Sequence, residues 1–97
     1  MNIDFSVKKG VVVFNAFSLK KEITLGEQLH ELREDMLQVE FPDGYILDVG
    51  WRPSFDVNGK FYIYLIKGFD WERPVYSESA KDIDSLELKV NRAINKL

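Results

Sequence analysis

His30 is the only histidine in the chain, and no cysteine accompanies it. A lone imidazole without thiolates cannot complete a His/Cys zinc site. It could serve as a general base, but no Ser or Cys nucleophile stands in a motif near it. A surface or boundary position beside an apolar stripe is expected for His30. The sixteen Asp and Glu residues are the other candidates for chemistry. A close carboxylate pair could move protons or hold Mg²⁺. Asp82-x-Asp84 comes nearest to such a pair. It stands where a helix begins, so capping is its expected job. Phosphate loops of the GxGxxG and GxxxxGK(S/T) kinds are absent. No catalytic residue, metal ligand or cofactor is therefore expected. The chain is read as a binding protein, not an enzyme.

The charge distribution points the same way. The net charge is only −3. Residues 22–48, however, hold Glu22, Glu27, Glu31, Glu34, Asp35, Glu40, Asp43 and Asp48 against Arg33 alone, a net of −7. The rest of the chain carries a net of +4. Such asymmetry can steer a basic partner onto one face. It would repel phosphates, so direct nucleic-acid binding by this face is not expected.

Trp and Arg are common anchors of interfaces, and both occur in Trp51-Arg52-Pro53 and in Asp70-Trp71-Glu72-Arg73-Pro74. Trp51, at a strand end, is expected to cap the core. Trp71, in a loop, could cap the core or anchor a partner. Tyr62 and Tyr64 could form an exposed stacking face, but packing under a helix is the expected arrangement.

These residues need a scaffold, and the patterning supplies one. Gly10–Leu19 is rich in Val and Phe and reads as a strand, with a helix from Asp4 as the alternative. Thr24 and Glu27 fit a capping box. Leu25, Leu29, Leu32 and Met36 follow at helical spacing, which predicts a first helix from about Leu25 to Met36 or a little beyond. Pro42-Asp43-Gly44 is a turn. Tyr45–Trp51 reads as a strand. Asn58-Gly59 signals a tight hairpin into Phe61–Lys67, a strand apolar on both faces and hence central. Val75–Ala80 is a short polar edge strand. A last helix carries Ile83, Leu86, Val90, Ala93, Ile94 and Leu97 on one stripe. The expected fold is α+β, in the order β-α-β-β-β-α. It is an antiparallel meander of three to four strands with two main helices packed on one face.

Ninety-seven residues make a single domain, 1–97. Small secreted domains usually need disulfides, so a cysteine-free chain is expected in the cytoplasm. The first ten residues carry Asp4, Lys8 and Lys9 and do not read as a signal peptide. The longest apolar run, Val11–Phe14, is far short of the ~20 residues of a membrane helix.

From Phe61 to Val75 the chain runs through a strand into the loop Asp70-Trp71-Glu72-x-Pro74-Val75, and a terminal amphipathic helix follows. This order resembles the small immunity proteins of contact-dependent growth inhibition and related polymorphic toxin systems. The resemblance covers about Tyr45–Leu97 and rests on Asp70-Trp71-Glu72 with Pro74-Val75. It implies a bacterial cytoplasmic protein that binds a cognate toxin domain and blocks its active site or substrate surface. Such toxins include nucleases and tRNases with basic clefts, which an acidic inhibitor would complement. The resemblance transfers no binding residues. Charge and anchor type alone nominate Glu27, Glu31, Glu34, Asp35, Asp43, Asp48, Asp70, Trp71 and Glu72. A monomer, or a 1:1 complex with the toxin, is expected. The alternative is a non-catalytic subunit or adaptor of a larger assembly, such as a homodimer through an exposed strand edge.

Overall fold

Alternation of apolar and polar residues along the strands sets the architecture. The computed structural model describes residues 1–97. It contains β1 (Val11–Asn15), β2 (Leu37–Phe41), β3 (Tyr45–Arg52), β4 (Lys60–Lys67), β5 (Tyr76–Ala80) and α1 (Ile83–Ile94). The strands form one antiparallel meander in chain order. The expected α+β meander is thus the observed fold. It has five strands, because Leu37, Val39 and Phe41 alternate with Gln38 and Glu40 to make β2. As expected, β4 is an interior strand buried on both faces and β5 is a polar edge, although the middle strand of the sheet is β3.

One face of the sheet carries the core. Leu37, Val39 and Phe41 of β2 sit opposite Val49, Leu47 and Tyr45 of β3. Phe61, Ile63 and Leu65 of β4 continue the same face. α1 lays Ile83, Leu86, Val90, Ala93 and Ile94 against it. Asp82 caps this helix, its carboxylate accepting from the Ser85 amide at 2.7 Å.

The first helix departs from expectation. Leu25–Glu31 forms two short 3₁₀ turns broken at Gln28 (φ −123°, ψ 38°). The Gln28 side chain bonds to the backbone of Lys20 and Ile23, holding the break against an earlier loop. Leu25 and Leu29 still pack on the core, and Leu32 and Met36 are fully buried. The stripe reported burial correctly, but an extended arch over residues 32–36 delivers its last two members. The capping box forms only in part. Thr24 donates its hydroxyl to the Glu27 carboxylate at 3.1 Å but does not cap an amide with its side chain.

Two connections position the ends of β3. Pro42-Asp43-Gly44 turns β2 into β3, with positive φ at Asp43 (67°) and Gly44 (80°). The expected tight Asn58-Gly59 hairpin is instead a longer loop, because Arg52 already pairs with Lys60. The buried Trp51 stitches this loop down: its indole N–H donates to the Asp56 carbonyl at 2.7 Å. A Cβ on Gly59 would lie 2.5 Å from the Arg52 carbonyl oxygen, so only glycine fits there. At the other end of the chain order, the N-terminal ambiguity resolves to a 3₁₀ turn at Phe5–Lys8 followed by β1.

Candidate binding surface

The nominated residues fall into three groups. Glu27 and Glu31 lie on the 3₁₀ turns. Glu27 is engaged by Thr24, and Glu31 accepts from the Ser18 hydroxyl. Both carboxylates have local structural partners.

Glu34, Asp35 and Asp48 meet on the outer face of the sheet, opposite α1. Alternation along β3 points Ile46, Asp48, Gly50 and Arg52 outward, beside Tyr62, Tyr64 and Ile66 of β4. The arch over residues 33–35 bends onto this face. It is tied to β3 by Trp51 N–H to the Arg33 carbonyl (2.8 Å) and Met36 N–H to the Val49 carbonyl (3.0 Å). Tyr62 donates its hydroxyl to the Glu34 carbonyl. The Arg52 guanidinium lies 4.2 Å from the Tyr62 ring centroid, and its Nε is 3.5 Å from the Glu34 carboxylate. The rings of Tyr62 and Tyr64 are 5.1 Å apart. No helix covers the tyrosines, contrary to expectation. The arch and Arg52 cover Tyr62 in its place, because Gly50 lets the Glu34 carbonyl approach the sheet.

Asp48 is only 5% exposed. Gln38, its cross-strand neighbour on β2, donates to it at 3.4 Å. Burial, aided by the negative charge of Asp35, raises its carboxyl pKa; the Gln38 bond and Arg52 oppose this. Burial, with the charge of Asp48 next, also pushes the Tyr62 phenol upward. A shallow cavity of about 250 Å³ lies beside this cluster, lined by Phe14, Asp35 and Gln38.

The third group forms the tip of the sheet. Gly68 N–H donates to the Gly44 carbonyl at 3.1 Å, which sets the β2–β3 turn beside the β4–β5 loop. This joins Asp43 to the segment carrying Asp70, Trp71 and Glu72. The loop is tight, with Asp70 N–H on the Lys67 carbonyl (3.2 Å) and Arg73 N–H on the Asp70 carbonyl (3.3 Å). Its aromatics face solvent: Phe69 is 76% exposed and Trp71 45%. Lys67, whose ammonium lies 5.1 Å from the Tyr45 ring centroid, and Arg73 set two positive charges beside the three acids of the tip.

The structure therefore unites Glu34, Asp35 and Asp48, and separately Asp43 with Asp70, Trp71 and Glu72. It leaves Glu27 and Glu31 apart. His30 is exposed. Asp82 is the cap of α1, and no three His, Asp or Glu side chains converge on a point that could hold a metal. Gln38, Phe14 and Phe69 were not nominated. The period-two pattern of β2 would have placed Gln38 beside Asp48. Phe69 follows Gly68, and both have positive φ (58° and 62°), a turn that throws the ring outward. No family model, no curated protein and no solved structure matches the chain.

Proposed function

We propose that this chain is a cytoplasmic immunity protein that binds a basic toxin domain, such as a nuclease or tRNase, and blocks its active site or substrate surface. One observation carries the reading: Phe69 and Trp71 stand solvent-exposed between the acids Asp43, Asp70 and Glu72, on a tip anchored to the sheet. Exposed large aromatics are the anchors that dominate binding energy when a partner buries them. Surrounding acids speed encounter with a basic cleft and orient it. The outer-face acids Glu34 and Asp35 add a second negative surface for steering. The Asp70-Trp71-Glu72 and Pro74-Val75 motif that suggests the immunity family lies in this same loop.

The test is growth. Cells expressing the C-terminal domain encoded immediately upstream are compared with and without this protein. Rescue, with co-purification of the two, supports the reading. Toxicity that the protein does not relieve rejects it for that domain. Trp71→Ala should lose rescue while the isolated protein stays folded.

A further inference from the structure

Two side-chain oxygens are shut off from water without a hydrogen-bond partner, one on Glu87 and the hydroxyl of Tyr76. The Glu87 oxygen is answered by the Lys21 ammonium at 2.9 Å. The Tyr76 hydroxyl is answered by nothing. Its ring packs against the core at the start of β5, opposite Leu65. A phenylalanine would fill that place without stranding a polar atom, and an unpaired buried hydroxyl is costly. A cavity of about 260 Å³ adjoins it, lined by Tyr76, Arg92, Asn95 and Lys96. Arg92 stands in the last turn of α1, and Asn95 is its C-cap. The chain keeps coiling past Ile94: the Lys96 and Leu97 amides donate to the Ala93 and Ile94 carbonyls, both at 3.0 Å. That holds Lys96 one turn on from Arg92, on the same side of the helix. The Lys96 ammonium lies 5.9 Å from the Tyr76 ring centroid. Burial raises the Tyr76 phenol pKa, the Glu78 charge adds to this, and the nearby Arg92 opposes both. Neither Arg92 nor Lys96 is in an ion pair, whereas Glu78 pairs with Lys89 at 3.9 Å. A helix C-terminus favours bases. That accounts for two cations in this turn, but not for a cavity between them or for a stranded hydroxyl beside it.

We propose that this cavity binds a phosphate group, held by the Arg92 guanidinium, the Lys96 ammonium, the Asn95 amide and the Tyr76 hydroxyl. Two free positive charges match the roughly −1.5 to −2 of a phosphate monoester near neutral pH. An arginine fork grips two phosphate oxygens at once. Donors from a strand and from a helix turn approach from different directions, which suits a tetrahedral anion better than a flat carboxylate. Arg92 and Lys96 are exposed as well as unpaired, so they can swing aside to admit the anion and close over it. The cavity is smaller than the roughly 300–1,000 Å³ of pockets for drug-sized ligands, so it takes the phosphate and not the bulk of a larger molecule. The acids of residues 22–48, which would repel a phosphate, do not line it. The proposal does not depend on the toxin reading, since none of the residues nominated for the toxin lines the cavity.

The experiment titrates the full chain with inorganic phosphate against chloride at constant ionic strength, followed by amide NMR and thermal melts. Saturable shifts at Tyr76, Arg92, Asn95 and Lys96 are expected, with a dissociation constant on the order of 1 mM, together with a rise in melting temperature. Acetate should bind at least about tenfold more weakly. Arg92→Gln should weaken phosphate binding at least about tenfold, and Tyr76→Phe about three- to tenfold. Without phosphate, Tyr76→Phe should melt no lower than the parent, since it removes the stranded hydroxyl. Lys81→Gln, at the other end of α1, should bind as the parent does. Adenosine monophosphate binding more tightly than inorganic phosphate supports the site as one for a phosphate ester, and equal binding supports it as one for the free ion. Absence of saturable shifts overturns the proposal. So do shifts confined to residues 83–85 beside Lys81, or equal losses from Lys81→Gln and Arg92→Gln, which would show charge screening alone.

Discussion

Gly50→Ala tests whether the outer-face arch is held as described. Alanine in a strand ordinarily gains about 0.5–1 kcal/mol over glycine. Here the added methyl would fall on the Glu34 carbonyl oxygen and lie 2.6 Å from Cε1 of Tyr62. The first neighbour is backbone, and the second is a ring wedged under Arg52. Relief requires the arch to lift. Overpacking of this kind costs about 1–3 kcal/mol. Lifting also breaks the Tyr62–Glu34 and Trp51–Arg33 hydrogen bonds, at about 1 kcal/mol each. Less the intrinsic gain, the expected net loss is about 2–4 kcal/mol. For a chain of this length that lowers the melting temperature by roughly 10 °C or more. Urea denaturation with an unchanged m-value, beside thermal melts, measures it. A variant as stable as the parent, or more stable, would show that the arch does not press on β3.

Trp71→Ala should cost at least about 2 kcal/mol in affinity for the proposed toxin partner, yet shift stability by less than about 0.5 kcal/mol, as for an exposed side chain; calorimetric binding and melting measure the two. Trp51→Phe should destabilise by about 1–3 kcal/mol, since it removes the bond to the Asp56 carbonyl and leaves a smaller ring against Phe61, whose centroid lies 4.8 Å from that of Trp51; denaturant melts report this. Asp48 gives a pH signature. Its folded pKa is raised, so the folded state holds a proton that the unfolded state has released, and stability rises as pH falls through the folded value. Asp48→Asn should therefore be at least as stable as the parent near neutrality and should lose that acid-side gain in melts recorded against pH.

The fold was legible where one period dominated a segment. The stripe Ile83, Leu86, Val90, Ala93, Ile94 under the Asp82 cap could only be a helix, and Phe61–Lys67 could only be a strand covered on both faces. Leu25–Met36 misled because burial at spacings of four, three and four is not unique to α-helix. Gln28 bonds its side chain to the preceding loop, and Met36 donates its backbone N–H to the Val49 carbonyl of β3, bonds to residues outside the segment that its own pattern does not contain. β2 was lost for the same reason: the imagined helix ran into its first residues. Asn58-Gly59 fits a two-residue turn locally, but Asp56 and Trp51 impose a larger loop. The acid-rich segment was plain in the sequence. Its division among three places was not, since the reversal at Asp43-Gly44 and the arch at Glu34 are what divide it.

That division bears on how the charge can act. The molecule is 38 Å along its longest axis, whereas charges in physiological salt are screened over about 8 Å. The −7 segment therefore cannot work as one patch. Glu34 and Asp35 on the outer face and Asp43, Asp70 and Glu72 at the tip must act separately. The tip combines its acids with two exposed aromatics, Phe69 and Trp71, where the outer face sets Phe14 alone beside Asp35. Reversing Glu34 and Asp35 to Lys should slow association and reduce its salt dependence while leaving dissociation nearly unchanged, because steering acts before contact. Reversing Asp70 and Glu72 should both slow association and speed dissociation, since these acids flank the anchor Trp71 itself. Stopped-flow kinetics over a range of salt separates the two. Equal effects from both pairs on dissociation would place the contact surface across the outer face and remove the tip from its central role.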